Sequence, residues 1–211
     1  MIFLNTASTQ QIDFGKSVDI IYGLAGDPPH KGHLNAIKYL LSVPNSKVWV
    51  ILSASHAFGK KTAPYEKRKE WLSLLLFDEV SGLTNEEKSR VIMPDLEIDI
   101  LKSKESKGPI YSADIQRYLS RKHPDMLFYW GFGMDNANSE SIKKFKDYET
   151  VLKWPILAIP EMQQVRSTKV REALKEGKID FLHEKIGVKL TQNIMKWIAE
   201  KEGQDWLNNR V

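Results

Sequence analysis

Two short stretches hold most of the residues able to do chemistry in this 211-residue chain. In Gly23-Leu24-Ala25-Gly26-Asp27-Pro28-Pro29-His30-Lys31-Gly32-His33, Gly23 and Gly26 let the backbone approach a ligand closely, Pro28 and Pro29 stiffen the turn, and Gly32 keeps a helix start free of a side chain. His30 and His33 stand three positions apart, so they face the same way once a helix has begun. A helix N-terminus carries free N–H groups that favour anions, and two imidazoles placed there make a phosphate site. A metalloprotease-type metal pair needs histidines at i and i+4 with a third ligand, and His56, His123 and His183 are not arranged for it. Zero cysteines exclude a thiolate nucleophile, a cysteine-held zinc and an iron–sulfur cluster.

The second stretch, Val165-Arg166-Ser167-Thr168-Lys169-Val170-Arg171, opens a helix that continues through Ala173 and Leu174, with Ser167 or Thr168 as the expected N-cap. Lys169 and Arg171 in its first turn oppose the positive end of the helix dipole, at about 0.3–1 kcal/mol each unless an anion sits there. The pattern therefore predicts an anion at this helix start. Read singly, the first stretch also fits an ordinary strand–turn–helix with surface histidines, and the second a capped surface helix. It is their joint presence that points to phosphate chemistry.

The elements that must position these residues follow from apolar patterning. Residues 17–24 and 47–52 are short apolar runs rich in β-branched residues, separated by a helical pattern over 33–41, which makes a βαβ unit. The alternation continues with a helix at 65–77, a strand at 91–93, a helix at 111–119 and strands at 126–130 and 155–159. Residues 95–109 form the one long loop-like tract, and residues 1–16 show no usable pattern. Ile194, Trp197 and Ile198 keep helical spacing near the end. The expected architecture is α/β: a Rossmann-like, doubly wound parallel sheet with helices on both faces and a small C-terminal helical element. One domain spans 1–211, with 1–16 as an N-terminal extension and 177–211 as the C-terminal element. In such sheets ligands bind outside the carboxyl ends of the strands, at the switch point.

Composition bounds the partners. Hydrophobic residues make up 42% of the chain and charged residues 27%, which excludes collagen-like, low-complexity and strongly disordered classes. No apolar stretch reaches the roughly 18 residues of a membrane span, and the N-terminal residues lack a basic region ahead of an apolar run, so a cytoplasmic location is expected and a membrane partner is not. A net charge of +4 suits anionic ligands but is not the clustered basic stripe of a nucleic-acid binder. The sequence specifies no oligomeric state and leaves a homo-oligomer open.

Together the two stretches resemble the nucleotidyltransferases that carry an early HxGH and a late (I/V)SSTxxR-like signature, and among these the nicotinate/nicotinamide mononucleotide adenylyltransferases most closely. The family's GGSFDPxHxGH corresponds to residues 23–33 and its ISSTxIR to residues 165–171. His56-Ala57-Phe58-Gly59-Lys60 with Arg68 is similar to its lysine-bearing loop and following arginine, Tyr111-Ser112-Ala113-Asp114 to its YTxDT segment, and Gly133-Met134-Asp135 to its GxD.

The resemblance implies joining of ATP to a pyridine mononucleotide, with Mg²⁺ bound through the ATP phosphates. It implies His30 and His33 as the catalytic pair at the α/β-phosphates, with His33 stabilising charge on the α-phosphoryl oxygens. Ser167, Thr168 and Arg171 would take the β- and γ-phosphates, Lys60 would reach the phosphates from its loop, and Asp135 would accept from the ribose hydroxyls. Gly23, Leu24, Ala25 and Gly133 would complete the ATP site. Asp27, Arg68, Ser112, Lys144 and Phe145 would contact the mononucleotide. Leu24-Ala25-Gly26 departs from the family's Gly-Ser-Phe, and the tryptophan that commonly stacks on the pyridine ring is missing, leaving Phe145 or Trp130 for that contact. Lys144 favours the acid over the amide, although both mononucleotides stay open. The rival readings are another branch of the superfamily, of pantetheine-phosphate or cytidylyl type, and a non-catalytic nucleotide sensor.

Overall fold

The computed structural model describes residues 3–4, 17–54, 61–78, 81–103, 108–161 and 165–208. Its strands are β1 (Phe3–Leu4), β2 (Val18–Leu24), β3 (Ser46–Leu52), β4 (Val91–Ile92), β5 (Phe128–Gly133) and β6 (Ile156–Ile159). They form one sheet in the order β1-β6-β5-β2-β3-β4. β2 through β6 run parallel, and β1 pairs antiparallel with the β6 edge. The five parallel strands are those expected from the apolar runs. β1 lies in the segment whose sequence showed no pattern, because a two-residue edge strand is too short for alternation to register.

Helices cover both faces. α1 (Lys31–Leu41), α2 (Tyr65–Phe77), α8 (Ser167–Lys175), α9 (Ile179–Ile186), α10 (Val188–Ile198) and α11 (Lys201–Asn208) pack on one side. α4 (Leu96–Lys102), α5 (Ser112–Lys122), α6 (Ser139–Ile142) and α7 (Tyr148–Val151) pack on the other. The short α3 (Asn85–Ser89) leads into β4. Strand alternation sorts the two cores: Ile20, Tyr129 and Leu157 enter the first, whereas Ile21, Trp130 and Ile156 enter the second. Leu182, Ile186, Leu190, Ile194, Trp197 and Trp206 belong to the same core as β2 and α1.

One expectation changes. The tract 95–109 contains α4, whose Leu96 and Ile100 are buried one turn apart. The expected C-terminal helical element is present, as three helices broken at Gly187 with φ +86° and again after Ile198.

Candidate active site

β2 delivers the chain into the loop 25–30, and α1 begins at Lys31 with His30 as its N-cap. The Gly32 N–H donates to His30 Nδ1 at 3.1 Å, and the His30 N–H donates to His33 Nδ1 at 3.2 Å. The two histidines thus make a reciprocal capping box, a job usually left to Ser or Thr with Glu. Because each Nδ1 accepts, each neutral ring carries its proton on Nε2, at the edge turned away from the helix backbone. The rings stack with centroids 3.8 Å apart. Burial lowers the His30 pKa to about 4, and burial with the neighbouring His30 holds His33 well below the ordinary histidine value. The pair is therefore two fixed N–H donors at neutral pH.

Two glycines are dictated by this geometry. A Cβ on Gly32 would stand 2.9 Å from the His30 ring, so the capping imidazole needs a bare residue beneath it. Gly26 has φ +59°, a left-handed conformation that favours glycine, and a Cβ there would meet Leu52 Cδ1 at 3.0 Å.

The late stretch docks on the early one. Ser167 Oγ donates to the Pro28 carbonyl at 2.9 Å across 139 positions of sequence, and the Arg171 guanidinium donates to the Asp27 carbonyl. Arg171 Nη1 also lies 3.6 Å from the Asp27 carboxylate. The N-cap of α8 is Arg166, with extended backbone, rather than Ser167 or Thr168; Ser167 is the first helical residue and gives its hydroxyl to the loop. Part of the anion predicted at this helix start is internal: it is Asp27. Neither α1 nor α8 has an acidic residue in its first turn.

Between the ends of β2, β5 and β6 lies an open cleft of about 250 Å³. His30, Gly32, His33 and Arg166 line its cationic, N–H-rich side, while Asp135 and Glu161 bring carboxylates to its wall. Gly133, the last residue of β5, and Met134 and Asp135 after it line the cleft. Tyr22, Ile159 and Pro160 were not singled out from sequence, since strand ends carry no chemical signature. Proximity to Asp135 adds to burial in raising the Tyr22 hydroxyl pKa. Gly23 is exposed, and a Cβ there would meet nothing within 4 Å, so its backbone stands open. Leu24 turns its side chain into the core at 7% exposure, and the carbonyls of Leu24 and Ala25 accept from Ser53 N and Arg68 Nη1.

A strand, a histidine-capped helix start and a second helix start meeting at a sheet switch point form a phosphate-binding frame, and residues 26–173 match the cytidylyltransferase-like family. The chain belongs to that family. Among curated relatives, a probable nicotinate-nucleotide adenylyltransferase of Bacillus cereus is 29% identical over 200 residues, covering 82% of this chain and 95% of the relative. One from Anaeromyxobacter dehalogenans is 26% identical, covering 89% and 96%. Among solved structures, the Plasmodium falciparum nicotinic acid mononucleotide adenylyltransferase complexed with NaAD aligns with a TM-score of 0.64 at 20% identity, covering 87% of this chain and 97% of that one.

Within the cytidylyltransferase-like chain, the remaining predicted residues divide. Arg68, 1% exposed, donates to the carbonyls of Ala63, Ala25 and Ser53 at 2.7, 2.7 and 2.8 Å, and so is an internal brace instead of a mononucleotide contact. Asp27 is likewise turned inward at 2% exposure, its Oδ1 accepting from Ala63 N and Trp206 Nε1. Trp130 is buried and donates to Gln116, which removes it as a stacking partner. Its ring stacks on Phe132, and Phe132 meets Phe145 edge-on at 5.4 Å. Ser112 opens α5, where Asp114 accepts the Tyr111 N–H. The Lys146 ammonium sits 4.7 Å over the Tyr111 ring, bringing the segment of Lys144 and Phe145 to that helix start. These residues share the α4–α7 face, apart from the histidine cleft. Lys60 lies outside the described residues.

Proposed function

We propose that this chain is a nicotinate-nucleotide adenylyltransferase: it joins ATP to nicotinate mononucleotide, giving the nicotinate adenine dinucleotide and pyrophosphate for NAD biosynthesis. The observation that carries the reading is the histidine capping box, which aims two neutral Nε2–H donors at the cleft where the α8 start also arrives. The near-complete coverage of relatives bearing that name supports the choice of acceptor.

The mononucleotide 5′-phosphate oxygen attacks the α-phosphorus, a new O–P bond forms as the bond to the bridging oxygen breaks, and pyrophosphate carries the charge away. No enzyme nucleophile and no proton transfer are needed, so catalysis rests on orientation, worth up to about 7–11 kcal/mol, and on fixed donors that meet developing charge. His30 and His33 donate to the α/β-phosphate oxygens, His33 serving the α-phosphoryl group. The backbone of 23–25, the start of α8 with Ser167, Thr168 and Arg171, and Lys60 hold the triphosphate. Gly133 and Asp135 take the adenosine ribose. Ser112, Lys144 and Phe145, with Phe132, form the pyridine side. ATP arrives as its magnesium complex, the ion held mainly by phosphates and water, as magnesium seldom needs a dedicated protein cage. The whole chain acts as one domain in the cytoplasm; no helix among the described residues is long and apolar enough to cross a membrane.

The test is product formation from ATP and Mg²⁺ with nicotinate or nicotinamide mononucleotide in parallel, following dinucleotide and pyrophosphate. Dinucleotide is expected from the acid in preference to the amide. ATP binding without product from either would overturn the reading.

A further inference from the structure

The family match ends at Ala173, yet a residue far beyond it reaches the phosphate-side loop. Trp206 of α11, 7% exposed, donates its indole Nε1–H to Asp27 Oδ1 at 2.9 Å, across 179 positions of sequence. The same oxygen accepts from Ala63 N at 2.9 Å, and Arg171 Nη1 approaches the other oxygen at 3.6 Å while also donating to the Asp27 carbonyl. One buried carboxylate therefore gathers the loop before His30, the approach to α2, the first turns of α8 and the C-terminal helix.

The surroundings fix the direction of that indole. Trp206 packs on Trp71 and Trp197 with ring centroids 5.6 and 5.4 Å away. Trp71 Nε1 donates to Asn193 at 3.0 Å, whereas the buried Trp197 Nε1 finds no hydrogen-bond partner among the described residues. Of the three indoles, Trp206 alone is aimed at the loop that carries the histidines. A buried carboxylate stays in one orientation only while its donors are complete, since losing one leaves charge uncompensated.

We infer that Trp206 is a positioning residue for the triphosphate half of the site: through Asp27 it sets the loop ahead of His30 and shares the carboxylate with Arg171, so the C-terminal helix is part of the ATP-binding apparatus. Without its N–H, the carboxylate draws Arg171 more closely and the loop loses a fixed point. The inference rests on the proposed adenylyltransferase reading for its kinetic readout, but not for its binding readout.

Trp206→Phe keeps an aromatic ring in the cluster and removes only the donor; Trp197→Phe alters the same cluster without removing a hydrogen bond. Steady-state kinetics are read beside ATP affinity by calorimetry and the melting temperature. Trp206→Phe is expected to raise both the ATP KM and the ATP Kd by about fivefold or more, with the mononucleotide KM within about twofold, while Trp197→Phe leaves all three within about twofold. Unchanged ATP values in Trp206→Phe, equal shifts in both variants, or a fall in kcat that tracks the melting temperature at constant KM would each overturn the role. If Trp206→Phe does not fold, Asp27→Asn decides: a raised ATP Kd supports the node and an unchanged one refutes it. If the wild type yields no dinucleotide from either mononucleotide, the functional reading fails while the calorimetric comparison still decides Trp206.

Discussion

His30 and His33 cap a helix with their Nδ1 atoms and are thereby committed, as neutral rings, to Nε2–H. A positioned donor of this kind acts on charge that grows in the transition state, and loss of one such donor costs about 10²–10³ in turnover. His33→Ala should therefore lower kcat by more than about tenfold while ATP affinity falls less; steady-state kinetics against direct ATP binding checks the split. The neutral state has its own signature. In the free protein His30 should titrate near 4, read from its ring protons by NMR, instead of near the ordinary 6.5. The sign follows: the folded pKa is the lower one, so the neutral ring's contribution to stability is complete above about 6.5 and is lost as pH falls toward 4. A His30 titration midpoint near 6.5 would show a solvated ring and overturn the buried, neutral capping pair.

At the scale of elements, the site is held by polar braces between segments distant in sequence. Arg68 in α2 ties the loop after β2 to the end of β3 and to its own helix start through three carbonyls. Arg68→Met retains most of the stem volume but orphans those buried acceptors, so it should lower the unfolding free energy by about 3 kcal/mol or more. For a chain of this size that is a fall in melting temperature of roughly 6–12 °C, measurable by calorimetry. A change under about 2 °C would show that the carbonyls find other donors. The sequence marked Arg68 as notable by its place after a lysine-bearing loop, but a charged residue inside a helix is indistinguishable from a solvated one until burial is known.

At the scale of the molecule, strand alternation divides the interior into two cores and leaves the site on their common edge. Glu97 sits on that edge, 4% exposed, accepting the Ala54 N–H at 2.7 Å. Burial raises its carboxyl pKa to about 7, against the pull of Ala54 and Arg68, from the ordinary 4.5. The folded state thus keeps a proton that the unfolded chain releases, and Glu97 favours the fold fully below about 4.5 and loses that contribution as pH rises through about 7. Glu97→Gln, which can still accept the Ala54 N–H, should gain stability relative to wild type between about pH 5 and about pH 8, read as urea midpoints. A difference that is flat with pH would show that Glu97 is solvated.

The sequence by itself determined the parallel strands, the longer helices α1, α2 and α5 between them and the two stretches read as phosphate-facing, because apolar runs, period-3.6 patterning and local glycine, proline and histidine chemistry act over a few residues. It also marked Gly32 as keeping the helix start free of a side chain, although not that the His30 ring is what lies against it. Only the tertiary structure decided that Asp27 and Arg68 face inward, that Ser167 spends its hydroxyl on Pro28, that Trp130 is sealed against Gln116 and that Trp206 reaches Asp27. Nearly all of those outcomes are pairings between segments 14 to 179 positions apart. Burial decides them, since a polar group withdrawn from water must find its partner inside the protein, and which partner arrives is set by how the elements pack.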